Sequence, residues 1–255
     1  MIGSSPQVDN LWVKPRQHDT QVNVRLFCFP YSGAGASVFY KWADVLPSTV
    51  SVYPVQLPGR ETRIAEPPYT RLGPLITAAA NALLPHLGQS FAFFGHSMGA
   101  LVAFELARHL RKHYSLAPLH IFVSGFGAPH LPSPHSPIHH LPTPDFVERV
   151  RRLKGTPEAV FQQRELWDLF LPILRSDFAV CETYEYHEDE PLPCPISAFG
   201  GLEDSDVPRD RLEAWRRHTE RQFKLRMFPG DHFYLNTTRL TLLRAVAAEL
   251  IGGRT

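Results

Sequence analysis

The chain has 255 residues, enough for one large α/β domain or for a core with a modest insertion. Its 44% hydrophobic and 20% charged residues suit a folded, soluble protein, and a net charge of +1 with scattered basic residues argues against nucleic acid as a partner. No apolar run is long enough to cross a bilayer, and residues 1–19 lack the charged-then-apolar layout of a signal peptide, so a cytoplasmic protein without a membrane role is expected.

Short apolar runs alternate with longer amphipathic ones. The first strand is predicted over 22–29, followed by a helix over 38–46, a strand over 50–56 and a helix over 72–87. A strand over 91–95 leads into a helix over 99–113, where Leu101, Ala103, Phe104, Leu106, Ala107 and Leu110 keep to one broad apolar stripe. The next strand is predicted over 120–124. Then the alternation breaks: residues 128–144 read APHLPSPHSPIHHLPTP, and proline blocks both helix and central strand. Helical sequence follows at 145–153 and 157–175. Strands resume at 196–200 and 223–228, each with a helix after it, over 209–219 and 237–251. Such alternation implies a mostly parallel sheet with helices on both faces. A single domain over 1–255 is expected, with residues 129–192 inserted as a helical lid beyond the strand carboxyl ends.

Chemistry concentrates at 91–110, FAFFGHSMGALVAFELARHL. Gly95-His96-Ser97-Met98-Gly99 is G-x-S-x-G between a strand and a helix, the context that lifts a serine Oγ above the sheet edge in an α/β-hydrolase fold. Side chains two residues either side of the serine would collide with the neighbouring strand and helix, so both positions require glycine. Ser97 is therefore the expected nucleophile, and His96 is read as packing. A serine needs a base, and the base needs an orienting acid. His232 follows the strand 223–228 through Pro229-Gly230-Asp231 and is the expected base. For the acid, three carboxylates follow the strand 196–200: Asp204 is placed best, then Asp206, then Glu203. Asp231 adjoins His232, and neighbouring side chains on a turn diverge, so it is set aside. One oxyanion donor is expected to be the Met98 N–H. The second comes from the loop Pro30–Gly35, with Ser32 N–H first and Gly33 as the alternative. That loop carries neither G-x-G-x-x-G nor a Walker lysine.

The runs FCFPYSGAGASVF, VQLPGRETR, FAFFGHSMGALVAFELA, LPILRSDF, FGGLEDSDV and FPGDHFYL occur in that order. Together they resemble the type II thioesterases, the stand-alone hydrolases that accompany polyketide synthases and nonribosomal peptide synthetases, and the similar vertebrate medium-chain fatty-acyl thioesterase. The resemblance runs from about Leu26 to Leu250 and implies the α/β-hydrolase fold with a helical lid after Pro129. It implies catalytic Ser97, Asp204 and His232, no cofactor, and an acyl substrate held as a thioester on the phosphopantetheine of an acyl or peptidyl carrier protein. The enzyme would release aberrant or stalled acyl groups. A monomer is expected. A carboxylesterase or acyl-CoA hydrolase on the same fold is the alternative, and a non-catalytic binding module is a third reading.

Several other residues are read by composition alone. Arg60 could meet a pantetheine phosphate, but a structural ion pair is preferred. Arg149, Arg151, Arg152 and Lys154 form either a carrier-docking patch or a solvated helix face. His130, His135, His139 and His140 sit in a proline-rich stretch without the fixed geometry of a metal site. Trp167, Phe170, Leu171 and Leu174 could line an acyl pocket, pack the lid, or do both. Cys28, Cys181 and Cys194 are too few and too widely spaced for a disulfide framework.

Overall fold

The computed structural model describes residues 11–13, 22–153, 155 and 158–252. Lys154, Pro157 and most of residues 1–19 lie outside them. Six strands follow in chain order: β1 (Val24–Phe29), β2 (Val50–Pro54), β3 (Phe91–His96), β4 (Ile121–Ser124), β5 (Ile196–Gly201) and β6 (Phe223–Phe228). They form one sheet in the order β2-β1-β3-β4-β5-β6, with every neighbouring pair parallel. β2 ends at Pro54 rather than at Gln56. Val55 still donates its N–H to the Cys28 carbonyl, but it also bridges antiparallel to Val13, which bends the chain away.

The helices are α1 (Leu72–Leu83), α2 (Met98–Tyr114), α3 (Thr143–Arg152), α4 (Glu158–Gln162), α5 (Arg164–Glu182), α6 (Arg209–Glu213), α7 (Tyr234–Thr237) and α8 (Arg239–Gly252). Four of the predicted helices are corrected. Residues 36–42 form a 3-10 helix instead of an α-helix over 38–46; its tighter winding sets Phe39 edge-on against Trp42, ring centroids 4.9 Å apart. α1 tightens to 3-10 at Leu84–His86, where Pro85 lacks an amide hydrogen. The helix at 209 gives way to a 3-10 turn over Ala214–His218. α5 runs on to Glu182, past the expected end at 175, because nothing after Arg175 stops it. It also contains Pro172, which has no N–H to donate to the carbonyl of Asp168.

Successive strand residues point to opposite faces, so the sheet serves two cores. On one face Phe27, Phe29, Phe91, Phe93, Ile121 and Val123 pack under α1 and α2. On the other Leu26, Cys28, Phe94, Phe122 and Phe199 pack under Trp42 and α8. Every residue of β2, β3, β4 and β5 is buried, whereas the edge strand β6 alternates. A third apolar cluster lies apart from both, within the segment between β4 and β5. Ile138, Phe146, Val150 and Leu174 are its buried members, with Trp167, Phe170, Leu171 and Phe178 against them. Trp167, Phe170, Leu171 and Leu174 thus pack the helices of this insertion.

The cysteines are free thiols, and burial pushes Cys194 up to about 12 and Cys28 well above the usual thiol range. Among the described residues no helix is long and apolar enough to cross a membrane.

Phe94 is wholly buried, with the Trp42 ring 4.7 Å away. Phe94→Ala is expected to remove about 3–5 kcal/mol of stability through the lost transfer energy and the cavity left behind. Urea unfolding at unchanged m-value checks it.

Candidate active site

Ser97 sits between the last residue of β3 and the first of α2. Its φ of 53° and ψ of −121° put a non-glycine residue in the left-handed half of the map, at a strain of about 1–3 kcal/mol. The turn is held because its surroundings leave no room to relax. The Ser97 N–H donates to the Ser124 carbonyl of β4 at 2.7 Å, and the Ala100 N–H donates back to the Ser97 carbonyl. A Cβ on Gly95 would lie 2.0 Å from the Gly99 carbonyl oxygen, and one on Gly99 would lie 2.1 Å from that of Phe29. Both glycines are therefore demanded by backbone contact. Met98 opens α2, so its N–H belongs to the first turn, where a helix has free donors and a positive dipole end.

The acid and the base come from neighbouring strand ends. His232 Nδ1 and Asp204 Oδ2 are 2.7 Å apart. The other oxygen, Asp204 Oδ1, accepts the N–H groups of Asp206 and Val207 at 3.1 and 3.2 Å. Burial alone would raise the Asp204 carboxyl, but the hydrogen bond and charge of His232, then the two amides, outweigh it and hold the group below its usual 3.8. The loops carrying these residues touch at Gly201, where a Cβ would lie 2.3 Å from the Asp231 carbonyl oxygen. The two rival carboxylates are elsewhere. Asp206 pairs with His135 at 3.3 Å, and Glu203 is exposed. Asp231 is exposed too and accepts the Phe233 N–H.

His96 is fully buried beside this pair, its ring centroid 5.1 Å from that of His232. Its Nδ1 hydrogen-bonds Ser124 Oγ at 2.8 Å, and Ser124 Oγ in turn meets the hydroxyl of Tyr234. Burial, and then the neighbouring His232, keep the His96 ring neutral by lowering its pKa well below the usual value. Tyr234, whose role was not legible from the sequence, is thus the outer member of a buried chain behind the base.

The loop after β1 lies next to the head of β3, since Phe29 pairs with Gly95. Within it Ala34 N–H donates to the Tyr31 carbonyl at 3.0 Å, and Gly33 N–H donates to Asp177 Oδ2 at 2.7 Å. The Gly33 amide is therefore engaged. Asp177 is the residue that the sequence reading missed, although it lies within the run LPILRSDF. Arg60 grips both of its oxygens, at 2.6 and 2.7 Å, in a pair almost fully shielded from water. The structural reading of Arg60 is the one the geometry bears out.

The insertion touches the residue that follows His232. A Cβ on Gly155 would meet the Phe233 ring at 2.4 Å, and Phe233 stacks edge-on against Tyr31 and His232. Two basic residues of α3 have acidic or aromatic neighbours: Arg152 pairs with Glu148, and Arg151 pairs with Glu158 and lies over the Phe161 ring. Lys154 lies outside the described residues. The four histidines disperse. His130 hydrogen-bonds His218, His135 meets Asp206, His139 meets Glu182, and His140 lies against His139.

Comparison with known proteins adds the following. The Thioesterase domain family matches residues 24–250. A Brevibacillus parabrevis protein named linear gramicidin dehydrogenase LgrE is 47% identical over 94% of this chain and 92% of its own length. Thioesterase PikA5 of Streptomyces venezuelae is 40% identical over 89% of this chain and 80% of its own. The solved structure of the type II thioesterase BorB from the borrelidin biosynthetic cluster superposes with a TM-score of 0.85 at 35% identity, covering 94% of this chain and 97% of that one.

Because the folded carboxyl of Asp204 lies below its unfolded value near 3.8, its charge stabilises the fold above that value. The contribution is lost as pH falls through the lower folded pKa. Wild type is thus expected to exceed Asp204→Asn in stability at neutral pH, with the margin shrinking below about pH 4. Thermal midpoints of both proteins measured from pH 7 to pH 3 check this.

Proposed function

The chain belongs to the thioesterase family of α/β-hydrolase-fold serine hydrolases, and on that premise we propose that it is a free-standing type II thioesterase. Its substrates would be acyl groups on the phosphopantetheine arm of acyl or peptidyl carrier proteins, and it would clear aberrant or stalled ones during polyketide or nonribosomal peptide synthesis. The observation that carries the chemistry is the strained Ser97 turn beside the 2.7 Å Asp204–His232 pair. The likeness to BorB and PikA5 supports the pathway class.

In this reading His232 Nε2 takes the Ser97 proton as Oγ attacks the thioester carbonyl. Asp204, bonded to Nδ1, fixes the ring's tautomer and offsets the positive charge it acquires. The Met98 and Ser32 N–H groups receive the developing oxyanion. Collapse breaks the C–S bond, and the pantetheine sulfur leaves with the proton from His232. Water then gives a proton to His232 and attacks the acyl-serine, which releases the acid and restores Ser97. The reaction needs no cofactor of the enzyme's own. We assign the protein to the cytoplasm as a monomer, with the segment 129–192 as its lid; the contact of Gly155 with Phe233 supports that role.

The dehydrogenase in one relative's name finds no support in the turn after β1. It reads S-G-A-G-A-S-V, and it enters a 3-10 helix rather than the α-helix whose first turn would bind a pyrophosphate. An esterase is the competing reading, and kinetics separates the two. Carrier-bound acyl thioesters are expected to be hydrolysed with a higher kcat/KM than the matching p-nitrophenyl esters and acyl-CoA, and faster turnover of the esters would overturn the carrier assignment. Ser97→Ala is expected to abolish fluorophosphonate labelling and lower kcat by about 10³-fold or more.

A further inference from the structure

The loop that supplies the second oxyanion donor is not self-supporting. Ala34 N–H donates to the Tyr31 carbonyl, which closes a four-residue turn with Ser32 and Gly33 at its centre. Gly33 has a φ of +79°, the value required at the third position of a type II turn. The Tyr31 carbonyl and the Ser32 N–H share one trans peptide plane and point in opposite directions. With the carbonyl turned into the loop, the Ser32 N–H faces out of it. The next peptide, Ser32–Gly33, is the one that flips between type I and type II turns, and glycine permits either. Its N–H is held by Asp177 Oδ2 at 2.7 Å.

Asp177 does not belong to the sheet that carries Ser97. It projects from α5 of the insertion, 144 residues along the chain from Gly33. Leu174, one turn earlier on the same helix, covers Gly33 so closely that a Cβ there would lie 2.6 Å from its Cδ2. Arg60 completes the junction. Its guanidinium binds both carboxylate oxygens and donates to the Ala34 carbonyl at 3.2 Å, so one cation spans the helix and the loop. The Arg60 carbonyl accepts from Gln56 Nε2 at 3.0 Å, and Gln56 Oε1 accepts the Ala36 N–H at 3.1 Å at the loop's far end. Asp177 and Arg60 are 2% and 3% exposed, so water cannot replace either partner.

We propose that Asp177, gripped by Arg60, is a positioning residue that fixes the Ser32–Gly33 peptide and thereby aims the Ser32 N–H at the oxyanion. It acts only through that loop and touches no reacting atom. A corollary is that α5 stays bolted to the catalytic core while any opening of the insertion takes place in α3 and α4. The inference rests on the hydrolytic reading above, in which Ser32 donates to the intermediate.

Asp177→Asn keeps the volume but removes the charge and sets an amide N–H₂ against either the guanidinium or the Gly33 N–H. Arg60→Lys keeps the charge but loses the fork that spans carboxylate and loop. Each variant is expected to lower kcat about tenfold or more with KM within about twofold, since removal of a whole oxyanion donor costs about 10²–10³. Each should also weaken a trifluoromethyl-ketone inhibitor, which forms the tetrahedral adduct, by the same factor as kcat/KM. A merely structural ion pair would lower the thermal midpoint and leave kcat and the inhibitor constant within about twofold of wild type at a temperature where the fold persists. That result in either variant overturns the proposal. If Asp177→Asn does not fold, Arg60→Lys carries the same expectation and the same refutation. Both variants are compared with wild type on a carrier-bound thioester and on a p-nitrophenyl ester. A wild type active only on the ester would sink the carrier assignment while leaving the Asp177 comparison readable.

Discussion

At the head of α2 three stretches of backbone meet with no side chain between them. The Gly99 Cα faces the carbonyl of Phe29, and the Gly95 Cα faces the carbonyl of Gly99. This close approach brings the end of β1 against the start of α2, and Ser97 has to take its strained turn because the chain has nowhere else to go. Everything that surrounds the nucleophile follows from it. The loop that leaves β1 begins beside the serine, so its amides can face the same space as the Met98 N–H. The parallel order β1-β3-β4-β5-β6 then sets the carboxyl ends of the last two strands on the other side. The site is where it is because six parallel strands end on one edge and the helices lie out of the way.

The acid–base pair depends on a second close approach of the same kind. Gly201 lets the β5 loop touch the backbone of Asp231, and the turn at Gly230, with φ +111°, swings His232 toward it. Asp204 then sits inside its own small turn, with one oxygen occupied by two amides and the other free for the imidazole. A carboxylate so arranged cannot rotate without losing two hydrogen bonds, and the ring it orients inherits that rigidity. Behind the ring, Tyr234, Ser124 and His96 form a buried polar chain in which His96 is held neutral, so that it adds no positive charge next to the base.

Much of this was legible in the sequence, and the unread part has a physical pattern. Strand runs such as FAFF and IFVS are short, apolar and bounded by turn residues, and each became a strand with its ends shifted by no more than two residues. The turn at Ser97 and the loop that carries His232 were legible because each follows the end of a strand. Asp204 was ranked above Asp206 and Glu203 on placement alone. What separates them is the fold-back of Val207 N–H onto Asp204 Oδ1, a contact no spacing rule supplies. Asp177 was invisible for a stronger reason. On its helix it follows Arg175 and Ser176 and reads as one of several polar residues, and its partner Arg60 lies 117 positions away. The same distance hid the engagement of the Gly33 amide, which only the Asp177 contact shows. The 3-10 helix over 36–42 was misread as α-helix because the i, i+3 pair Phe39 and Trp42 suits both windings.

The insertion between β4 and β5 looks like a module. It has its own apolar cluster, and a protein engineer seeking a new acyl preference would be inclined to exchange it whole. The double duty of α5 sets the limit of such a graft. Its last turns belong to the catalytic core through Leu174 and Asp177, so a foreign helix carried through to Glu182 would bring its own residues against the Gly33 loop. The seam belongs earlier, near Pro172, where the helical ladder already lacks a hydrogen bond and a joint interrupts least. Leu174 and Asp177, which reach the Gly33 loop, both lie after that proline. Downstream of it, the helix is part of the enzyme's hearth and has to be kept.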